Sequence, residues 1–135
     1  MRKTLLALAI TLLILPTSCK KKSGDGTGTC TGVVCTADFA MISLKIINAA
    51  GEAVNLSDSY TVTSSGDTIR FDQLLSNGRY VVLDDSYHSK LTNKTGSFTF
   101  YGVMNNKVVV TEAFTISGDC CHIQYKSGNT EILIP

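Results

Sequence analysis

The chain has 135 residues, of which 44% are hydrophobic, with twelve lysines and arginines against eleven aspartates and glutamates. This length predicts one domain with a modest core. From Cys30 onward, seven basic residues stand against ten acidic ones, a net charge near −3 that argues against nucleic acid as a partner.

The N-terminus predicts export from the cytoplasm. Arg2 and Lys3 precede an apolar run over residues 5–15, and small residues follow just ahead of Cys19. This is the pattern of a secretory signal peptide, which we place at residues 1–18. The apolar run is too short to cross a membrane as a helix, because a spanning helix needs roughly 20 residues.

The cysteine at the predicted cleavage site, Cys19, resembles the lipobox of bacterial lipoproteins, and the three lysines after it resemble lipoproteins of Bacteroidota. Pro16 departs from the usual pattern, which has leucine there. The resemblance implies that Cys19 is acylated, with palmitate among the chains, and holds the protein on the cell envelope. Lys20 in place of aspartate implies the outer membrane, with the domain either periplasmic or surface-exposed. The alternative is an ordinary secretory signal cut nearby, which leaves the protein unanchored.

Residues 20–29 contain no apolar side chain and are rich in Gly, Ser, Thr and Lys, which predicts a flexible tether. Such a segment reaches roughly 15–20 Å on average. Lys20, Lys21 and Lys22 suit anionic headgroups beside the lipid, at about 1 kcal/mol each. The predicted organisation is therefore a signal peptide (1–18), a lipidated cysteine with its linker (19–29) and one β-domain (30–135).

Four further cysteines, Cys30, Cys35, Cys120 and Cys121, predict two disulfides, because an even number in a small exported domain indicates crosslinks. Pairing adjacent residues is strained, so two connectivities remain. Both join the segment after the tether to a region near the C-terminus. A metal site formed by these cysteines with Asp119 and His122 is the alternative use; we expect no metal, because structural zinc sites separate their paired cysteines.

After residue 36 the sequence alternates apolar and polar residues between turn residues, which predicts seven or eight short strands and no sustained helix except a possible turn at residues 72–75. The strands are expected at residues 40–46, 60–63, 68–71, 79–84, 98–104, 107–116, 120–126 and 130–134. This spacing predicts an all-β fold, a single antiparallel β-sandwich. Residues 47–54 resemble the first turn of transthyretin-like (carboxypeptidase-regulatory-like) domains, which implies a transthyretin-like or Ig-like sandwich and carries no function.

Catalytic motifs are missing from the sequence, which has no Gly-x-Ser-x-Gly, no His-Glu-x-x-His and no phosphate-binding glycine loop. We therefore predict no enzyme and no cofactor. The candidate ligand-binding residues are Asp84, Asp85, Tyr87 and His88, in a polar stretch over residues 84–93 that follows a core strand. Loops at one end of a sandwich commonly carry binding residues.

These observations predict a lipid-anchored binding or accessory module of the cell envelope without catalysis. Its membrane contact is the lipid anchor, and its partner is another envelope protein or an extracellular ligand. The alternative is a glycan- or metal-ligand-binding surface domain, centred on Tyr87 and His88 or on Asp119 and His122.

Overall fold

Two β-sheets form the part of the chain that the computed structural model describes, residues 29–71 and 74–135. The predicted signal peptide, the predicted acylation site at Cys19 and the predicted tether up to residue 28 lie outside the described residues. The all-β prediction is confirmed, since strands dominate and the helices are short.

The described residues form eight strands, and all eight coincide with predicted ones. Their bounds are β1 Met41–Ile47, β2 Asp58–Thr63, β3 Thr68–Ile69, β4 Arg79–Asp84, β5 Lys94–Met104, β6 Lys107–Gly118, β7 Ile123–Ser127 and β8 Glu131–Leu133. One sheet has the order β4-β1-β8, and the other has the order β3-β2-β5-β6-β7.

The hydrophobic core lies between the sheets. In β1, Ile42, Leu44 and Ile46 are buried on one face, as their alternation predicts, and Phe98 and Phe100 are buried from β5. Leucine, isoleucine and phenylalanine side chains each gain roughly 1.5–3 kcal/mol on full burial, so these rows hold the sheets together.

Polar contacts cross the same interface. The Thr61 hydroxyl in β2 donates a hydrogen bond of 2.7 Å to the Val82 carbonyl of β4, which belongs to the other sheet. The Tyr80 and Phe100 ring centroids lie 6.4 Å apart, and the Tyr80 hydroxyl donates to the Val54 carbonyl. This last bond fastens the connection between β1 and β2 to the core.

One pairing departs from the antiparallel prediction: β1 pairs with β8 in parallel, matching Lys45 with Glu131 and Ile46 with Ile132. β1 is the central strand of its sheet, so backbone groups on both of its edges need partners. The last strand supplies them on the side away from β4.

The predicted strand over residues 120–126 is wrong at its start, because β7 begins only at Ile123. The Asp119 carboxylate accepts hydrogen bonds from the backbone N–H groups of Cys121 and His122, at 2.7 and 2.8 Å. An aspartate that satisfies nearby N–H groups in this way favours a turn over a strand. Both cysteines consequently lie in the turn between β6 and β7, and not on opposite faces of a strand.

The stretch after β4, predicted as a loop, folds into a 3-10 turn (Asp85–Tyr87) and a four-residue helix, α1 (His88–Leu91). α1 packs against the end of β6, where a Cβ at Gly118 would lie 2.6 Å from the Leu91 carbonyl oxygen, so only glycine fits there. The possible turn at residues 72–75 lies partly outside the described residues, and Leu74 bridges to Tyr80. No helix among the described residues is long and apolar enough to span a bilayer.

Candidate functional site

The two predicted disulfides are confirmed, and they lie side by side. Cys30 bonds to Cys120 and Cys35 to Cys121, each with a Cα–Cα distance of 5.3 Å. They join residues 30–35, which we call the disulfide loop, to the turn between β6 and β7. We call this part of the sandwich the disulfide end.

Asp85 joins three chain segments at the disulfide end. One carboxylate oxygen accepts the Ala40 N–H at 2.7 Å and contacts His122 Nδ1 at 2.6 Å, and the other accepts the Ile123 N–H at 2.8 Å. The Asp85 side chain is only 9% exposed. Burial by itself raises the pKa of Asp85, but the Ile123 and Ala40 N–H groups and the His122 ring outweigh it, so the pKa is lowered.

His122 is bonded at both ring nitrogens. Its Nδ1 contacts Asp85, and its Nε2 lies 3.1 Å from the hydroxyl oxygen of Thr36. Hydroxyl, imidazole and carboxylate therefore stand in the order that nucleophilic hydrolases use. Thr36 belongs to no sequence motif, and the neighbouring Cys35–Cys121 disulfide holds its segment beside His122.

Asp119 organises the turn that holds both cysteines. Besides the Cys121 and His122 N–H groups, it accepts the Gln124 side-chain amide at 2.6 Å. Burial raises the pKa of Asp119, but these hydrogen bonds and the nearby His122 lower it further than burial raises it. The side chain therefore stays ionised and keeps the turn in shape.

The candidate ligand residues predicted from sequence also lie at the disulfide end. His88 Nε2 bonds to the Asp119 carbonyl at 2.9 Å, and Asp84 accepts the Ser86 N–H at 2.9 Å. The Tyr87 and Phe98 rings form a T-shaped pair with centroids 5.6 Å apart, and the Lys90 ammonium lies 4.7 Å from the Tyr87 ring centroid. These side chains are thus engaged within the protein, and their role as a ligand surface stays a prediction.

Metal binding at the disulfide end has no geometric support. In residues 29–71 and 74–135, no group of three or more His, Cys, Asp or Glu side chains is placed to hold an ion. All four cysteines of this region are used in disulfides.

A second candidate site lies beside the start of β2. A cavity of about 460 Å³ opens there, within the range of small-molecule pockets. Its apolar side includes Leu56, Phe71 and Tyr80, and its polar rim includes Asp58 and Arg70. We call this part of the sandwich the cavity end.

The Arg70 guanidinium is held in place at the rim. One of its nitrogens lies 2.6 Å from each Asp58 carboxylate oxygen, and its central carbon lies 5.0 Å from the centroid of the Tyr60 ring. Tyr60 in turn stacks on Tyr101 across the β2–β5 pair, with centroids 5.2 Å apart. Within the described chain Arg70 bonds no carboxylate other than Asp58, so an ordered donor–acceptor pair borders the cavity.

Sequence reasoning missed this site because the alternation in β2 does not show which of its faces is buried. Tyr60 and Val62 are only partly buried, and the buried residues are Thr61 and Thr63. Their hydroxyls are satisfied by Val82 and Ser65, which makes their burial possible. The sequence signal that could have indicated the site is Arg70, which follows β3 and lies twelve residues after Asp58.

The two candidate sites lie at opposite ends of the long β5–β6 hairpin. Lys94 pairs with Gly118 next to the disulfides, while Asp58 pairs with Val103 at the far end of β5. Nine residues at about 3.4 Å each separate Lys94 from Val103, so the ends are about 30 Å apart.

The fold and sites define a two-sheet, all-β domain with a disulfide-bonded end and a polar-rimmed cavity at the other. No family model matches the chain, and neither does any curated protein or solved structure.

Proposed function

We propose that this protein is a lipid-anchored, non-catalytic binding module of the cell envelope, and that its ligand site is the cavity end. The observation that carries the proposal is the placement of the cavity about 30 Å from the end at which the N-terminal segment joins the domain. Anchoring through Cys19 brings the disulfide end nearest the membrane. The cavity end is then the part of the domain presented to a partner.

The finer fold assignment belongs to the same proposal: a sandwich of transthyretin-like or Ig-like type. It is supported by the turn over residues 47–54, where Asn48 accepts the N–H groups of Ala50 and Glu52 and Gly51 has φ +80°. A polar residue and a glycine at these positions agree with the turn that the sequence resembles.

The second candidate function is glycan binding. We place the glycan site at the cavity end, at Asp58 and Arg70, and not at Tyr87 and His88 as the sequence predicted. The aspartate supplies acceptors and the arginine supplies donors, while their charges cancel. Neutral polyols need both kinds of group, together with an apolar surface for the sugar ring. Leu56, Phe71 and the exposed Leu74 provide that surface.

Anchoring is tested first in cells of the native host. Globomycin, which blocks the lipoprotein signal peptidase, is expected to make the full-length precursor accumulate, and mass spectrometry of the mature protein is expected to find acyl chains on Cys19. A mature protein of unmodified mass would overturn the anchoring.

Binding is tested by cross-linking capture of the tagged, lipidated protein from intact cells, followed by a glycan array with the purified domain. Arg70→Ala is expected to abolish the signal, whether it comes from a protein partner or a glycan. Lys107→Ala is the matched control, because Lys107 is an exposed cation at the same end. Equal capture by both variants would rule out the cavity end as the site.

A further inference from the structure

The disulfide loop carries an exposed apolar tip. Val34 is 94% exposed and its neighbour Val33 is 48% exposed. Phe39 and Met41, just after the loop, are 61% and 41% exposed. Single exposed apolar residues are common on proteins, but four within nine positions of the chain are a local concentration, which we call the apolar patch.

Two disulfides hold the loop that carries Val33 and Val34. Both ends of the loop are crosslinked, to Cys120 and to Cys121, and the turn inside it is closed by the Val33 N–H bonding to the Cys30 carbonyl. Gly32 adopts φ +77° in that turn. The tip therefore cannot fold back to bury its valines without breaking this geometry.

The charge around the patch suits a phospholipid surface. Between Cys30 and Leu44 only Asp38 is charged, and the preceding segment carries Lys20, Lys21 and Lys22 against a single acidic residue, Asp25. Apolar side chains next to lysines are the combination by which proteins sit at the boundary between headgroups and acyl chains.

The length of the preceding chain brings the patch to the membrane. Ten residues, 20–29, separate Cys19 from the disulfide loop, and they span roughly 15–20 Å on average. A domain anchored through Cys19 therefore carries its apolar tip within reach of the bilayer that holds the lipid.

We propose that the tip of the disulfide loop, Val33 and Val34 with Phe39 and Met41 beside it, docks into the surface of the bilayer that holds the anchor. This inference rests on the proposed lipid anchoring and adds an orientation to it. The tip faces the headgroups, and the cavity end points away from the membrane.

The absence of tryptophan from the sequence gives a direct test. A single fluorophore is introduced by Val34→Trp in the full chain, and the mature lipidated protein is reconstituted into phosphatidylethanolamine–phosphatidylglycerol vesicles. The matched control is Val108→Trp, at a residue 51% exposed near the far end of β6. Ellman titration without free thiols shows that both variants keep their disulfides.

The Val34→Trp emission is expected to shift to shorter wavelength on vesicles and to be quenched by brominated acyl chains, while the Val108→Trp emission does neither. Protein that floats with the vesicles but shows no difference between the variants would overturn the docking and leave the anchoring intact. A blue shift without quenching by brominated lipid would also overturn it, since another protein surface then covers the tip. Protein that lacks acyl chains and does not float would overturn anchoring and docking together.

Discussion

The two ends of this sandwich are built by different kinds of interaction. At the disulfide end, two covalent crosslinks and two aspartates of lowered pKa hold residues from four chain segments together. At the cavity end, a half-exposed ion pair lies at the rim of a solvent-accessible cavity, and a stack of two tyrosines lies beside this pair. The comparison indicates that covalent and largely buried ionic contacts hold the disulfide end together, whereas the polar groups at the cavity end are half-exposed to solvent.

The largest expected effect is loss of both crosslinks. Replacing all four cysteines by serine is expected to lower the free energy of unfolding by about 4.5 kcal/mol, because the bridges close loops of 90 and 86 residues. Removing one pair is expected to cost much less, since the other pair keeps the same ends together. Denaturant unfolding of the three variants measures this, and two single-pair losses that each equal the full loss would contradict it.

Removing a carboxylate is expected to lower the free energy of unfolding much more at the disulfide end than at the cavity end. Asp85→Ala leaves two part-buried N–H groups and an imidazole without their partner, and is expected to cost about 3 kcal/mol. Asp58→Ala, the matched change at the cavity end, is expected to cost less than about 1 kcal/mol because that pair is solvent-exposed. Thermal and denaturant unfolding give both values, and similar losses would show that the ends do not differ in this way.

Acid is expected to weaken the disulfide end selectively. The folded-state pKa values of Asp85 and Asp119 are lowered, so their ionised forms contribute stability above the ordinary aspartate pKa of about 3.9. That contribution is lost as the pH falls through the lowered values. Unfolding free energies measured from pH 6 downward are expected to decline below about pH 4. The decline is expected to be shallower in the Asp85→Asn and Asp119→Asn variants, and an unchanged slope would refute this assignment.

The ion pair at the cavity end is expected to contribute little to stability. A double-mutant cycle on Asp58 and Arg70 is expected to give a coupling energy of about 0.5 kcal/mol, reduced further by salt. Ligand capture is nevertheless expected to be lost with Arg70→Ala. A coupling energy above about 2 kcal/mol would mean that the pair is structural.

An equally small effect on stability is expected at Thr36. If the domain is non-catalytic, Thr36→Val removes only an exposed hydrogen bond to His122 and costs about 0.5 kcal/mol. A fluorophosphonate probe is expected to label neither the wild type nor the variant. Stoichiometric labelling of the wild type that disappears in both Thr36→Val and His122→Gln would identify a hydrolase.

Local pattern predicted most of the strands, because alternation reports which residues meet a core and turn residues report where strands end. It placed Ile42, Leu44 and Ile46 correctly. It left the buried face of β2 open, because two threonines occupy that face and the partner that satisfies Thr61 comes from the other sheet. It also missed the turn at Asp119, where one side chain captures two backbone N–H groups.

The sequence by itself determined the strand set, the presence of two crosslinks and the acidic character of the domain, because these depend on composition and on neighbours along the chain. Only the tertiary structure decided the cysteine pairing, the Asp85–His122–Thr36 chain and the Arg70–Tyr60–Tyr101 stack. Each of these joins residues that lie far apart along the chain. Which of them meet depends on the order of the strands in the two sheets, and local alternation carries no information about that order.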